Sequence, residues 1–327
     1  MRLAVLADVH GNLPALLAVQ QELERMQPDY VLLNGDLINA VPFSAEVLDV
    51  VRAAGWVVVR GNHEFYYLDF GTERALVGSE DPARWGQLHW LLERISPEQG
   101  AYLAMLPDER TLYLPGTQPL RMAHGVPGRN RVGFYNEQPA EVIAVELTHV
   151  HERTMVSAHT HVQVDRVVSL AEVRQPDLYA DPHRAAGRRN GGAGGSVRQW
   201  HVINPGSVGL PLNGDPRAQF ALLESVDEDV APGGWLATHH RVAYDRRPAL
   251  EAYHSSGMWE AGGVITQLFY WELVTAEAEI VAFYSWARLM GLDPDGDITG
   301  AFRTYKERTG REAYVRRLDP LYYPERG

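Results

Sequence analysis

The chain has 327 residues, 45% of them hydrophobic, so it is long enough to bury a full core in one large domain or two. It has no cysteine, which excludes disulfide bonds and thiolate chemistry. The formal net charge of −12 argues against stable nucleic-acid binding, because phosphate backbones are bound by clustered lysine and arginine. No hydrophobic stretch approaches the length of a membrane span, so we expect no membrane partner either.

The first part of the sequence alternates predicted strands with predicted helices. Residues 2–7, 30–34 and 56–59 are short runs rich in valine and leucine, typical of buried strands in a mainly parallel sheet. Asn12 is a favourable N-cap for a helix after the first strand, and residues 42–54 fit a second crossover helix. The run at 2–7 is too short for the hydrophobic region of a signal peptide, so we expect a cytoplasmic protein.

Each of these strands ends at a polar motif. In chain order, the motifs are Asp8-Val9-His10, Gly35-Asp36 and Gly61-Asn62-His63-Glu64. In open α/β sheets the ligand crevice lies beyond the carboxyl ends of the strands. We therefore expect these motifs to converge although they are far apart in sequence.

Two later runs, residues 120–123 and 154–158, repeat the pattern. The first leads into His124-Gly125 and the second into His159-Thr160-His161. Two histidines one residue apart at a strand end must straddle the site through a turn, because in a continuing strand residues i and i+2 merely share a face. Both can then face a metal ion.

Together the five motifs have the composition of a two-metal centre. Three Asp or Asn oxygens and four imidazoles are ligands that divalent transition ions take. Each motif alone is weak evidence, since Asp8 could belong to a capped strand end and His124 to the core. Their joint placement favours two divalent ions, manganese before iron, zinc, nickel or cobalt, and hydrolysis at phosphorus.

In these motifs the chain resembles the calcineurin-like metallophosphoesterase superfamily, whose pattern is DxH, GD, GNH(D/E), H and GHxH. The resemblance covers about residues 1–223 and is nearest the small bacterial phosphodiesterase branch, which has a loop similar to residues 204–209. Ser157-Ala158 stands where the family usually has glycine before the histidine pair, and we expect the added methyl to be tolerated. The fold implied is α/β, a two-sheet α/β/β/α sandwich, with a helical C-terminal extension here.

The resemblance also implies a role for each motif residue. The ligands it implies are Asp8, His10 and His161 for one ion, and Asn62, His124 and His159 for the other. Asp36 would bridge the two ions, and a hydroxide held between them would attack phosphorus. His63 would be the general acid, and Asn62 and His63 would contact the substrate phosphate. Arg60 is either a further phosphate contact or a solvated strand end.

The substrate stays open at this point. Residues 60–64 also resemble the motif of Ser/Thr protein phosphatases, but those enzymes follow Gly-Asp with a further Asp-Arg pair, which residues 37–40 lack. We favour a phosphodiesterase acting on a small-molecule phosphoester, with a protein phosphatase or another phosphomonoesterase as the alternative. A second alternative is a non-enzymatic protein-binding scaffold, as in the retromer subunit of similar fold. That relative lacks the catalytic histidine, whereas His63 is present here.

Residues 64–107 are expected to form helices beside the metal crevice. Their aromatic side chains are Tyr66, Tyr67, Phe70, Trp85 and Trp90. An aromatic stripe on a helix is core packing more often than a ligand contact. Stacking of some of these rings on a nucleoside or aryl group is the second interpretation.

Beyond the histidine pair the pattern changes to strands. Residues 162–170, 199–203, 219–224 and 236–243 are expected to form hairpins that build a second sheet. Between them, residues 182–196 form a Gly/Arg-rich loop without a phosphate-loop signature, which we interpret as a mobile hairpin tip in preference to a lid.

We expect a catalytic domain over residues 1–245 and a helical extension over residues 246–327. Helices are predicted at residues 275–290 and 302–308. The extension is rich in tryptophan and tyrosine, which suits either docking onto the catalytic domain or a homodimer contact. The sequence does not separate these alternatives.

Overall fold

The computed structural model describes residues 1–171 and 197–323 of the chain. The Gly/Arg-rich loop at 182–196 lies outside the described residues, so its predicted role remains a prediction. Within the two described ranges, no helix has both the length and the apolar character that crossing a membrane requires.

The described residues form two five-stranded mixed sheets flanked by helices. The strands are β1 (Arg2–Leu6), β2 (Tyr30–Asn34), β3 (Val57–Val59), β4 (Glu109–Leu112), β5 (Leu120–Ala123), β6 (Thr154–Val156), β7 (Gln163–Ala171), β8 (Val197–Pro205), β9 (Ala218–Ser225) and β10 (Trp235–Val242). The predicted two-sheet architecture is confirmed.

The first sheet has the strand order β10-β9-β1-β2-β3. Its β1, β2 and β3 are parallel, whereas β9 runs antiparallel to β1 and β10 antiparallel to β9. The second sheet has the order β4-β5-β6-β8-β7, with β5, β6 and β8 parallel and the two outer strands antiparallel. The carboxyl ends of β1, β2, β3, β5 and β6 all lead into the predicted ligand motifs.

The predicted division of the strands between the sheets was wrong. The strands after the histidine pair do not build a sheet of their own, because β9 and β10 join the first sheet and β7 and β8 join the second. Such pairings join distant parts of the chain, as Val5 pairs with Ala221 and Met155 with Val202. A strand's local pattern does not encode its partner, because both sheets need the same apolar residues. The ligands therefore come from two sheets.

Six helices lie in the first half of the chain. They are α1 (Leu13–Met26), α2 (Ser44–Ala54), α3 (Asn62–Asp69), α4 (Pro82–Leu92), α5 (Pro97–Met105) and α6 (Ala140–Glu146). Asn12 caps α1 as predicted, because its Oδ1 accepts a hydrogen bond from the backbone N–H of Ala15 at 3.2 Å. The third helix begins at Asn62, so its first turn carries both a predicted ligand and His63.

Six more helices form the C-terminal region. They are α7 (Arg247–Ser255), α8 (Met258–Ala261), α9 (Gly263–Thr275), α10 (Glu279–Leu289), α11 (Ile298–Thr309) and α12 (Arg311–Leu318). The predicted helix at 275–290 starts too early, because Thr275 ends α9. The Thr275 hydroxyl instead lies 2.9 Å from the carboxylate of Glu279, the first residue of α10. Sequence periodicity misses α9 because it is buried on almost every side and has no polar face.

The C-terminal helices share one hydrophobic core with the helices on the first sheet. Leu16 of α1, Leu91 of α4, Leu250 of α7, Leu268 of α9 and Phe283 of α10 belong to this core, and all are fully or almost fully buried. The helical extension therefore packs on the half of the chain that carries the ligand motifs. The boundary at residue 245 stays a prediction.

Candidate metal centre

Four predicted ligands, from two loops of the first sheet and one loop of the second, form a buried group. Asp8, His10, Asp36 and His161 each offer a ligand atom, and these atoms lie within 4.8 Å of one another. The Nε2 atoms of His10 and His161 are only 3.0 Å apart. Such a spacing suits two nitrogens bound to one cation.

A second group adjoins the first and shares one residue with it. Asp36, His124 and His159 offer ligand atoms within 4.8 Å of one another. The Oδ1 of Asn62 lies 3.0 Å from His124 Nε2 and 2.8 Å from His159 Nδ1, so its oxygen faces the same point. The two groups match the division that the family resemblance implies.

Asp36 lies between the two groups. Its Oδ2 is 3.6 Å from His10 Nε2 on one side and 3.2 Å from His124 Nε2 on the other. Gly61 allows this approach, because a Cβ at that position would lie 2.1 Å from Asp36 Oδ1. A carboxylate in this place can contact a cation in each group.

The backbone at these residues is strained. Five of the predicted ligands have a positive φ between 51° and 71°, in the left-handed region that non-glycine residues rarely adopt. They are Asp8, His10, Asp36, His159 and His161. Because His159 and His161 both have this conformation, the chain turns between them as predicted instead of continuing as a strand. Strain of this kind concentrates at functional sites, where the surrounding structure holds it.

Backbone carbonyls fix the orientation of two ligand histidines. The Nδ1 of His124 lies 2.8 Å from the carbonyl oxygen of Asn34, and the Nδ1 of His161 lies 2.6 Å from that of Leu210. A carbonyl oxygen only accepts, so each Nδ1 carries a hydrogen and each Nε2 lone pair points into the site. This is the usual support for a metal-binding histidine.

Glu64 supports the loops around Asp36, a role that the sequence analysis did not assign. Its carboxylate accepts hydrogen bonds from the backbone N–H groups of Asp36 at 2.9 Å, Leu37 at 2.8 Å and Gly61 at 2.6 Å. Burial, together with the charge of Asp36, raises the pKa of Glu64 to about 7, although the backbone donors oppose the shift. The carboxylate thus ties the Gly35-Asp36 loop to the first turn of α3.

The charges of the site fit divalent cations. Asp8 is fully buried, and its carboxylate oxygens form no hydrogen bond to a described side chain, with His161 Nε2 3.6 Å from Oδ1. Burial raises the pKa of Asp8 well above its ordinary value, against the charge of His124. A buried carboxylate without a partner is strongly unfavourable, and a bound cation removes that penalty. The donor set therefore fits two ions.

The predicted ligand histidines differ in the direction of their pKa shifts, because their neighbouring charges differ. Burial lowers the pKa of His161 to about 3 and that of His159 to about 4, so both imidazoles are neutral at pH 7, as metal binding requires. Burial also lowers the pKa of His124, but the charges and hydrogen bond of Asp36 and Asp8 outweigh it and raise the value to about 10. A cation bound here would take the place of that proton.

His63 lies beside both groups but belongs to neither. Its backbone N–H donates to Asp36 Oδ1 at 2.8 Å, and its ring centroid is 4.7 Å from that of His10. Its Nδ1 has no hydrogen-bond partner in the described part of the chain. The imidazole is therefore close to the Asp36 carboxylate without belonging to either group of predicted ligands.

Two arginines add to the sequence-based expectation: Arg60 has an ion-pair partner, and Arg131 lies close to His63. The guanidinium of Arg60 forms an ion pair with Asp108, with its Nε 2.9 Å from Asp108 Oδ1, so its predicted phosphate contact has a competitor. The guanidinium of Arg131, a residue that the sequence did not single out, lies over the ring of Tyr66 at 4.9 Å. Burial is the main cause of the lowered pKa of His63, and the charge of Arg131 also helps to lower it. Its loop has no periodic pattern that could have predicted this position.

Comparison with known proteins assigns the family. Residues 1–163 match the family model described as calcineurin-like phosphoesterase, and all the predicted ligands lie within that range. No curated protein matches the chain at a significant level.

Two solved structures are similar to most of the chain. A metallophosphoesterase from Sphaerobacter thermophilus is 26% identical, with a TM-score of 0.54 and coverage of 79% of this chain and 95% of that protein. A hypothetical protein from Pyrococcus horikoshii OT3 shares the fold, with 19% identity, a TM-score of 0.60 and coverage of 82% and 97%. The family match and the two Asp/His groups together show that this chain belongs to the calcineurin-like phosphoesterase family of metal-dependent phosphoesterases.

Proposed function

We propose that this chain is a phosphodiesterase that uses two divalent ions, with manganese the expected metal. One ion is assigned to Asp8, His10 and His161, and the other to Asn62, His124 and His159. The observation that carries the proposal is the position of Asp36, which belongs to both groups of ligand atoms. A shared carboxylate sets two cations at the short separation that phosphoryl transfer uses.

The metal ions and the protein contribute differently to the reaction. Two divalent ions at such a site would lower the pKa of a shared water and neutralise charge on the phosphoryl oxygens. Asn62 orients the substrate through its amide, which lies at the second group of ligands. His63 donates a proton to the leaving oxygen, a contribution of general acids that is typically ~10²–10⁴ in rate. Its position next to Asp36 supports that role.

The distribution of positive charge favours a diester. Residues 37–40, which follow the bridging aspartate, carry no cation and are buried. Arg60 is already paired with Asp108. Arg131 lies close enough to His63 for its charge to lower the pKa of that histidine. A diester has one negative charge near neutral pH, whereas a monoester has about two. A site with few cations therefore binds the diester with a smaller electrostatic disadvantage than the monoester.

The comparison of matched esters tests the proposal. The purified chain, loaded with Mn²⁺, is assayed with bis(p-nitrophenyl) phosphate, p-nitrophenyl phosphate and a phosphoserine peptide. We expect kcat/KM for the diester to equal or exceed that for the monoester, with the peptide poorest. A preference of more than tenfold for the monoester or the peptide, about 1.4 kcal/mol in transition-state binding, would establish the phosphomonoesterase alternative.

A further inference from the structure

A pocket of about 240 Å³ opens directly beside His63. Tyr66 of α3, Trp85 of α4, Phe269 of α9 and Tyr284 of α10 line its wall. The C-terminal helices therefore form part of the active-site surface. Pockets that enclose a whole drug-sized ligand have roughly 300–1,000 Å³, so this one suits a single ring system of a larger substrate.

The aromatic side chains form a continuous row that starts at the general acid. The ring centroids of His63 and Tyr66 are 5.1 Å apart, and those of Tyr66 and Trp85 are 5.4 Å apart. Phe269 faces His63 at 6.2 Å. A planar group that leaves the phosphorus near His63 would thus meet aromatic faces at once.

Three pocket-lining residues carry buried polar atoms without a hydrogen-bond partner within residues 1–171 and 197–323. These atoms are Asn39 Nδ2, Trp85 Nε1 and Gln87 Oε1. The side chain of Asn39 is oriented by its own loop, because its Oδ1 accepts from the backbone N–H of Ala40 at 2.8 Å. The amide nitrogen is therefore the end that remains free.

Unpaired buried polar groups are rare in folded proteins because each has lost its water without gaining a partner. Asn39 and Gln87 are only 1% and 2% exposed. Two donors and one acceptor, on residues that line a single aromatic pocket, make a pattern that a purely apolar ring cannot satisfy. A heteroaromatic ring with its own donors and acceptors satisfies it.

The charge of the pocket and the backbone around Trp85 also suit a neutral ring. Arg84 also lines the pocket, but its guanidinium pairs with Asp295 at 3.0 Å, so the pocket does not require an anionic ring. The α4 backbone is non-helical at Trp85, with φ −116° and ψ 17°. At the next position, Gly86 allows very close contact, because a Cβ there would lie 2.1 Å from the carbonyl oxygen of Ala261. The α4 backbone next to Trp85 therefore lies in close contact with the end of α8.

We infer that this pocket binds a nucleobase, so that the substrate is a phosphodiester with a nucleoside on the leaving-group side. The inference rests on the proposed function for the reaction itself. The base would stack on the aromatic row and exchange hydrogen bonds with Asn39, Trp85 and Gln87. Its ester oxygen would then lie near His63, which protonates it.

Nucleoside binding tests the inference without requiring turnover. Adenosine, guanosine, cytidine and uridine are titrated into the Mn²⁺-loaded protein by calorimetry, with phenol as a ring that lacks the base's polar edge and inorganic phosphate as a probe of the metal centre. The variants Trp85→Phe and Gln87→Leu each remove one polar atom from the pocket. Trp90→Phe is the matched control, because its indole N–H on the same helix donates to Ser256 at 3.3 Å.

We expect at least one nucleoside to bind more tightly than phenol, and both pocket variants to weaken it at least tenfold while phosphate affinity changes less than twofold. The Trp90→Phe control should leave nucleoside binding unchanged. Equal affinity for phenol and every nucleoside, or nucleoside binding that neither pocket variant affects, would overturn the inference. Aryl diester turnover in the same preparation is measured separately, so a protein that hydrolyses the aryl diester but binds no nucleoside refutes only this inference.

Discussion

The two carboxylate oxygens of Asp36 face different partners. Oδ1 accepts the backbone N–H of His63 at 2.8 Å, while Oδ2 lies between the Nε2 atoms of His10 and His124. The residue assigned to bridge the metals thus also holds the first turn of α3, which carries the general acid. In the proposed function, metal binding and proton donation are therefore connected through the Asp36 side chain.

Asp36→Asn separates these two functions. The amide oxygen can still accept the His63 N–H, but the bridging negative charge is lost. We expect fewer than two ions per chain by elemental analysis and loss of diester turnover, because two cations at short separation need that charge. Two tightly bound ions with near-normal turnover in this variant would refute the bridging assignment.

His63→Ala should retain both metals and lose about 10²–10⁴ in kcat, because His63 belongs to neither group of ligands. The loss should be smaller for a nitrophenolate leaving group, which departs without a proton, than for an alkoxide. Kinetics with both ester types measure this. His151→Ala, at an exposed histidine, is the control and should keep full activity.

Equal losses for the two leaving groups would mean that His63 binds the transition state and does not protonate the leaving oxygen. Loss of metal in His63→Ala would make it a ligand.

Glu64→Gln should destabilise the folded chain, although it changes only one atom of the side chain. One carboxylate oxygen accepts from Asp36 and Gly61, and an amide nitrogen in its place would face two donors. We expect the free energy of unfolding to fall by roughly 1–3 kcal/mol, the cost of leaving buried donors unpaired. Urea unfolding measures it, and unchanged stability would show that the Glu64 hydrogen bonds are dispensable.

Glu272 on α9 should make stability depend on pH. Burial raises its pKa to about 8, and the charge of Glu279 adds to this, against two backbone hydrogen bonds. The folded chain keeps a proton that the unfolded chain releases above its ordinary pKa of 4.5. This contribution to stability is present below 4.5 and is lost as pH rises through about 8.

Glu272→Gln has no such proton to lose. Its free energy of unfolding relative to the parent chain should therefore increase between pH 5 and pH 8, by at most about 1.4 kcal/mol per pH unit. Urea unfolding of both proteins at the two pH values gives the difference. The same difference at pH 5 and pH 8 would show that Glu272 has no raised pKa.

The sequence predicted that these side chains converge, because each of them follows a short apolar strand. The end of a strand is encoded locally, so Asp8, Asp36 and His124 could be assigned to one crevice before any pairing was known. Strand partners were not predictable in this way. The contact between Val5 and Ala221 depends on which of several similar apolar strands meet, and the period-two pattern is the same for all of them.

The pocket beside His63 could not be predicted from the sequence, because some of its lining residues lie on elements that have no recognisable sequence pattern. Phe269 belongs to α9, whose burial on almost all sides removes helical periodicity. The aromatic residues of α3 and α4 were expected mainly as core packing. Tyr66 and Trp85 do pack against that core, yet both also line the pocket. A residue type alone does not distinguish these two surroundings, whereas the unpaired indole N–H of Trp85 does.

A metal titration of turnover is the sharpest test of a phosphoesterase centre in which Asp36 joins two ions. Protein stripped with a chelator is titrated with Mn²⁺ while hydrolysis of bis(p-nitrophenyl) phosphate and bound metal are measured together. We expect no turnover without metal and a plateau at two ions per chain. Full turnover in the stripped protein, or a plateau at one ion per chain, would contradict it.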